Sequence, residues 1–198
     1  MFVYTYSMIE WKQLKRRLKA GPVSFSELRE RGMSQYDINN LLKAEKLLRV
    51  EKGVYQLAEQ DYSEYAQAQT ASLQMGQPCA VCLISALSHH GLTDNIPNKV
   101  WLFVPENKPT AHQNIRAVRS RSPRWDVGIM EEEGFKMTNL ERTVIDAFRY
   151  KRIVGLSTAT EALRRALQGK KTNVNELYDM AKKLKYSKQI SPYLEAYI

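Results

Sequence analysis

The stretch from Ser34 to Leu57, SQYDINNLLKAEKLLRVEKGVYQL, reads as a short helix followed at once by a tight two-stranded hairpin. Any fold for this chain has to accommodate that pair. At 100° per residue, Ile38, Leu41 and Leu42 fall on one side of the helix, while Tyr36, Asn39, Asn40 and Lys43 gather on the other. The first side can pack. The second carries groups suited to base edges and phosphates, and an Asn amide can pair bidentately with adenine in a major groove. This is the composition of a recognition helix, with Gln35 near its start.

The preceding residues make the context for it. Ser34 has Asp37 three residues on, a capping-box-like pair that places negative charge near the helix start. Before it, VSFSELRERG supplies a short helix that Ser24 or Ser26 can cap and Gly32 can end. Two short helices joined by a Gly-containing turn make a helix-turn-helix. After it, Leu48 to Val50 are β-compatible, Glu51 to Gly53 turn the chain, and Val54 to Leu57 return it, which makes a wing with Lys52 at its tip and Arg49 on its first strand. Upstream, Met8, Trp11, Leu14 and Leu18 form an apolar helical face, and Lys12, Lys15, Arg16 and Lys19 form a stripe that suits either phosphates or plain solvation. Gly21 and Pro22 stop that helix. The excess of 30 Lys and Arg over 21 Asp and Glu, a formal charge of +9, favours a polyanionic partner.

Beyond residue 60 the pattern changes. The polar, Ala-rich run over 61–77 is expected to be a helix linking a DNA-binding domain over 1–60 to a second domain over 78–198. In that second domain Pro78 can open an apolar helix through Ala80, Leu83, Ile84 and Leu87 that ends near Gly91. VWLFVPE marks a buried strand, and further strands are expected at 115–119, 127–130 and 135–137, the last two flanking the acidic turn EEEG. Helical spacing resumes over 139–150, capped by Thr138 or Asn139. It continues in ATEALRRALQ, VNELYDMAKKL and SPYLEAYI, with Ser191 before Pro192 at a helix start. The class is α+β: a winged helix-turn-helix followed by a mixed α/β domain with a small sheet and several helices.

Several chemistries are poorly matched. Cys79 and Cys82 form a lone C-x-x-C on an apolar run and read as buried thiols. Ser85, His89 or His90, and Asp94 include the residue types of a hydrolytic triad, but no nucleophile elbow accompanies them. Asp126, Glu133 and Lys136 lack the strand spacing of a metal nuclease. No catalytic residue, metal site or cofactor is expected. The start MFVYTYSMIEWKQ lacks a secretory pattern and no run is long enough to span a membrane, so the cytoplasm is the expected location. In the last helices Arg164, Arg165, Lys170, Lys171, Lys182, Lys183 and Lys185 suit a binding face or a solubilising surface equally well.

The order of motifs resembles the AbiEi family of antitoxins from bacterial AbiE (type IV) toxin–antitoxin systems. The likeness rests on VSFSELRERGMSQYDINNLLKAEKLLRVEKGVYQL in the first domain, and on CLISALSHHGLTDNIPNKVWLFVP, TNLERTVIDAFRY and TEALRRAL in the second. It implies a phage-defence regulator that represses its own operon from inverted repeats in double-stranded DNA. It also implies an antitoxin that counteracts a nucleotidyltransferase-like toxin through its second domain, functionally rather than in a stable complex. The basic residues of the last three helices are then the first surface to test for antitoxicity. A monomer in solution or a dimer on DNA fits such sites. Other readings are a winged-helix regulator unrelated to a toxin, or a nucleic-acid-processing protein docked by its winged helix. Where relatives tend to have Gly after the recognition helix, this chain has Glu45. A non-Gly residue in a left-handed cap costs about 1 kcal/mol, so the helix is expected to accept that cost or to run slightly further.

Overall fold

The computed structural model describes residues 8–59, 64–120 and 124–197, with side chains from Trp11 onward. The side chain of Met8, residues 61–63 of the expected linking helix and the terminal Ile198 lie outside the described part. Two compact units meet at the Gln77–Pro78 bond.

The first unit runs α1 (Met8–Lys19), β1 (Val23–Ser24), α2 (Phe25–Glu30), α3 (Gln35–Lys43), β2 (Leu47–Glu51), β3 (Val54–Leu57) and α4 (Ala66–Met75). The apolar spacing of α1 and α3 sends Leu14, Leu18, Ile38 and Leu41 into one core with Val23, Leu28, Met33, Leu47, Tyr55 and Leu57. The hairpin is joined by a third, two-residue strand: β1 pairs antiparallel with β3, giving the order β1-β3-β2. So short a strand leaves no alternation to read. The helix expected to link two domains requires correction, because α4 belongs to the first unit. It buries Ala66, Ala71 and Met75 and packs on all three strands, and Gln74 donates to Glu51 across 3.1 Å. Its small, mostly uncharged residues hide that buried side from a periodicity argument.

The second unit begins with β4 (Ala80–Val81) and α5 (Leu83–His89), followed by β5 (Val100–Pro105), β6 (Ile115–Ser120), β7 (Ile129–Glu132) and β8 (Phe135–Thr138). Then come α6 (Leu140–Arg149), α7 (Lys151–Val154), α8 (Leu156–Gln168), α9 (Val174–Lys183), α10 (Ser187–Leu194) and a terminal 3-10 turn, Glu195–Tyr197. The sheet has the order β6-β5-β4-β8-β7, with β5–β6 and β4–β8 parallel and the other pairs antiparallel. Its main core joins Trp101 and Phe103 of the sheet to Leu87, Ile145, Phe148, Leu163 and Leu177 of the helices.

Three expectations change here. Ala80 and Val81 are not helical but form the central strand, and Leu83, at φ +47°, makes the abrupt turn into α5. A continuous apolar run is compatible with a buried strand or a buried helix, and here it contains both. The helix α10 starts at Ser187 and holds Pro192 inside it, where full burial of Ile190 and Leu194 outweighs the lost backbone donor. Between the expected helices, α7 adds one further turn after Tyr150.

The deepest polar group of this unit is on α6. Arg142 is 1% exposed; its Nε donates to the fully buried Asp146 at 2.8 Å, and its Nη1 donates to the carbonyls of Arg124, Trp125 and Val127. Arg149 donates to the other oxygen of Asp146 at 2.9 Å. The segment stays this close because Gly128, at φ +72°, has no Cβ; one would stand 3.0 Å from Arg142, Asn139 and Met180 atoms.

Candidate nucleic-acid interface

Both ends of α3 are set by local hydrogen bonds. At its start the Asp37 N–H donates to Ser34 Oγ at 3.1 Å, while Asp37 Oδ2 accepts from the Ser34 N–H at 2.9 Å and the Ser34 hydroxyl at 2.5 Å, a full capping box. At its end Glu45 N–H donates to Leu42 and Lys46 N–H to Leu41. That is the Schellman pattern, which needs a left-handed residue at its centre. Glu45 takes that conformation, φ +53°. The helix therefore stops at Lys43 and accepts the conformational cost instead of running on. The helix before it, α2, ends in the same way with Gly32 at φ +85°.

The outward face of α3 carries Gln35, Tyr36, Asn39 and Lys43 exposed to solvent, with Asn40 half-buried at its margin. Tyr36 is 63% exposed, unusual for a large aromatic with no partner to cover it. Gln35 donates to the Asn39 side chain at 3.1 Å, which orients the Asn39 amide along the face. Beside this helix the hairpin is twisted by a bulge between Arg49 and Glu51. Arg49 and Lys52 are exposed, and the tip is tied down where Phe25 N–H donates to the Gly53 carbonyl at 2.7 Å.

The stripe on α1 divides. Lys12, Arg16 and Lys19 are exposed, whereas Lys15 donates to Glu59 at 2.9 Å, and that contact holds the Glu59 carboxyl below its ordinary range. Lys15 is thus partly neutralised on the spot. Helical and strand spacing do not single out two further exposed residues: Lys46, which leaves the α3 cap near the Trp11 ring, and Leu48 on β2, 45% exposed. The only signal for Lys46 was its place next to Glu45.

Residues 13–58 match the family model of the AbiEi antitoxin transcriptional regulators. The matched segment covers most of α1, the helix-turn-helix of α2 and α3, and the whole hairpin. No curated protein matches the chain. Among solved structures, the crystal structure of the RV2827C protein from Mycobacterium tuberculosis is similar in fold, with a TM-score of 0.59 at 12% identity, covering 94% of this chain and 77% of that one. Among the described residues, no helix is long and apolar enough to cross a membrane, and no three His, Cys, Asp or Glu side chains converge as metal ligands.

Outside the matched segment, the basic residues of the last helices are not equivalent. Arg165 forms a fork on Asp94 and also holds Glu161, which is shared with Arg164; these contacts lower the Glu161 carboxyl to about 2. Lys171 donates to the His90 carbonyl at 2.5 Å, and Lys182 stands 3.7 Å from Asp179. Lys170, Lys183 and Lys185 are exposed, two of them at left-handed helix exits. The triad residue types do not come together: Ser85 Oγ accepts the Trp101 N–H at 3.0 Å, His90 Nε2 donates to the Thr138 carbonyl at 2.9 Å, and Asp94 is held by Arg165. Cys79 and Cys82 are both fully buried.

Proposed function

We propose that this protein is a DNA-binding transcriptional autorepressor and antitoxin, acting in the cytoplasm on inverted repeats in its own promoter. The observation that carries the reading is the solvent-facing side of α3, a polar face locked between a capping box and a Schellman exit inside the segment that matches the AbiEi model. In this reading the first unit is a winged helix-turn-helix, with the β2–β3 hairpin as the wing. Tyr36, Asn39, Asn40 and Lys43 enter the major groove with Gln35 at the helix start. Arg49 and Lys52 hold the flanking backbone or minor groove. Lys12, Arg16 and Lys19 lie along phosphate, and Lys15 joins them only by exchanging Glu59 for phosphate.

The second unit carries antitoxicity against a nucleotidyltransferase-like toxin as part of phage defence, without a stable complex. Lys170, Lys183 and Lys185, together with Arg164, Arg165, Lys171 and Lys182, are the residues to test for it. Repeats one helical turn apart would place two copies on the DNA. The deciding experiment measures binding to the native promoter fragment and to shuffled DNA of equal length. Asn40→Ala should lose about 1–3 kcal/mol on the promoter and little on the shuffled fragment. Equal loss on both would mean that Asn40 does not read bases.

A further inference from the structure

The connection between α5 and β5 presents a side chain that no soluble surface requires. Ile96 is 90% exposed, at the rim of an open groove of about 770 Å³ in the second unit. The turn that carries it is braced: Arg165 clamps Asp94 on one side, and Lys171 holds the His90 carbonyl at the start of the connection. An apolar side chain held out on a braced turn loses little conformational entropy when it is covered, which is how preorganised contact residues act. The groove beside it is lined by the buried Ile84 and Trp101, and its wall includes Ile153, 45% exposed. Leu156, 47% exposed, follows shortly after that wall in the chain.

The polar part of the groove has one sign. Lys99 and Arg116 line it, and among the described residues no carboxylate does. The Arg116 guanidinium lies 3.9 Å from the centroid of the Trp101 ring, so its position is set by stacking while its N–H groups stay available for a bidentate acceptor. We infer that this groove docks an acidic segment of a partner protein, anchored by one or two large apolar side chains. The apolar anchors cover Ile96 and Ile153 and reach toward Trp101, and Asp or Glu side chains of the segment meet Arg116 and Lys99. The site lies wholly in the second unit and is independent of DNA reading by α3.

The test is panning of displayed 12-residue peptides against the full-length protein, followed by fluorescence anisotropy with the enriched peptides made synthetically. Enriched sequences should combine Asp or Glu with an aromatic or large aliphatic residue. Replacing their acidic residues with Lys should abolish binding. Ile96→Asp and Arg116→Glu should each weaken it by about tenfold or more, while Tyr36→Ala leaves it unchanged. Because Ile96 is almost fully exposed, Ile96→Asp keeps the fold, which a thermal melt verifies. Failure to enrich any peptide, enriched peptides without acidic residues, or equal binding to Ile96→Asp would each overturn the assignment. A concentration-dependent dimer dissolved by Ile96→Asp would also overturn it, by giving the groove to a second copy of this chain.

Discussion

Replacing Glu45 with Gly should make the first unit more stable while leaving the polar face of α3 where it is. A residue with a Cβ in the left-handed region costs roughly 1–2 kcal/mol, and Glu45 sits there at φ +53°. Gly removes that cost and gives back about 0.5–1 kcal/mol because its unfolded chain has more freedom to lose. The net expectation is about 0.5–1 kcal/mol of stabilisation, or a shift of a few degrees in melting temperature for a unit of this size. The Glu45 side chain is exposed, and both hydrogen bonds of the exit are made by backbone, so nothing else is surrendered. Gly32 provides the control: it occupies the same place in the same motif, and nothing stands within 4 Å of a Cβ built on it. Gly32→Ala should therefore be destabilising by about 1 kcal/mol through strain alone. Hydrogen exchange read by mass spectrometry on peptides of the first unit separates these effects from the second unit. Promoter affinity of Glu45→Gly should equal that of the parent. The reasoning fails if Glu45→Gly lowers protection in α3, or if Gly32→Ala is neutral.

Other outcomes follow from the same structure. Arg142→Met should cost about 3–5 kcal/mol in the second unit, because it leaves a buried Asp146 with Arg149 as its remaining ionic partner; urea unfolding would read it. Lys52→Ala should weaken promoter and shuffled DNA alike and reduce the slope of log affinity against log salt by about one. His90 has its imidazole held below the ordinary value of 6.5, first by burial, although its bond to Thr138 opposes this. Unfolding then takes up a proton below that value, so the stability of the second unit should fall as pH drops below 6.5 and should be flat above it. His90→Gln should flatten the fall, as measured by denaturant midpoints on the two sides of that pH.

Much of the architecture was legible where periodicity and end signals agree. The capping of α3 by Ser34, the start of α6 at Asn139 and of α9 at Asn173, and the long strand β5 all carry the residue types that their geometry needs. What escaped was either too short or too uniform. The strands β1 and β4 have two residues each, and the buried side of α4 is built from Ala, Ser and Gln with a single Met, too little for a hydrophobic pattern to mark. The polar face of α3 could be read because side chains 3 and 4 apart share one side of a helix. The pairing of Lys15 with Glu59 could not, since 44 residues separate them. The Arg165–Asp94 clamp, across 71 residues, was invisible for the same reason.

The carbonyls gathered by Arg142 belong to the backbone of residues 124–127, and every residue type has one. That grip does not depend on the side chains of the bend, although Arg124 adds a bond of its own to the Lys183 carbonyl at 2.6 Å. Trp125 and Asp126 can vary in chemistry while the carbonyls keep the path, so new surface specificities can be tried there at little structural risk. The burden of invariance falls on one arginine, its aspartate and the glycine that lets them approach.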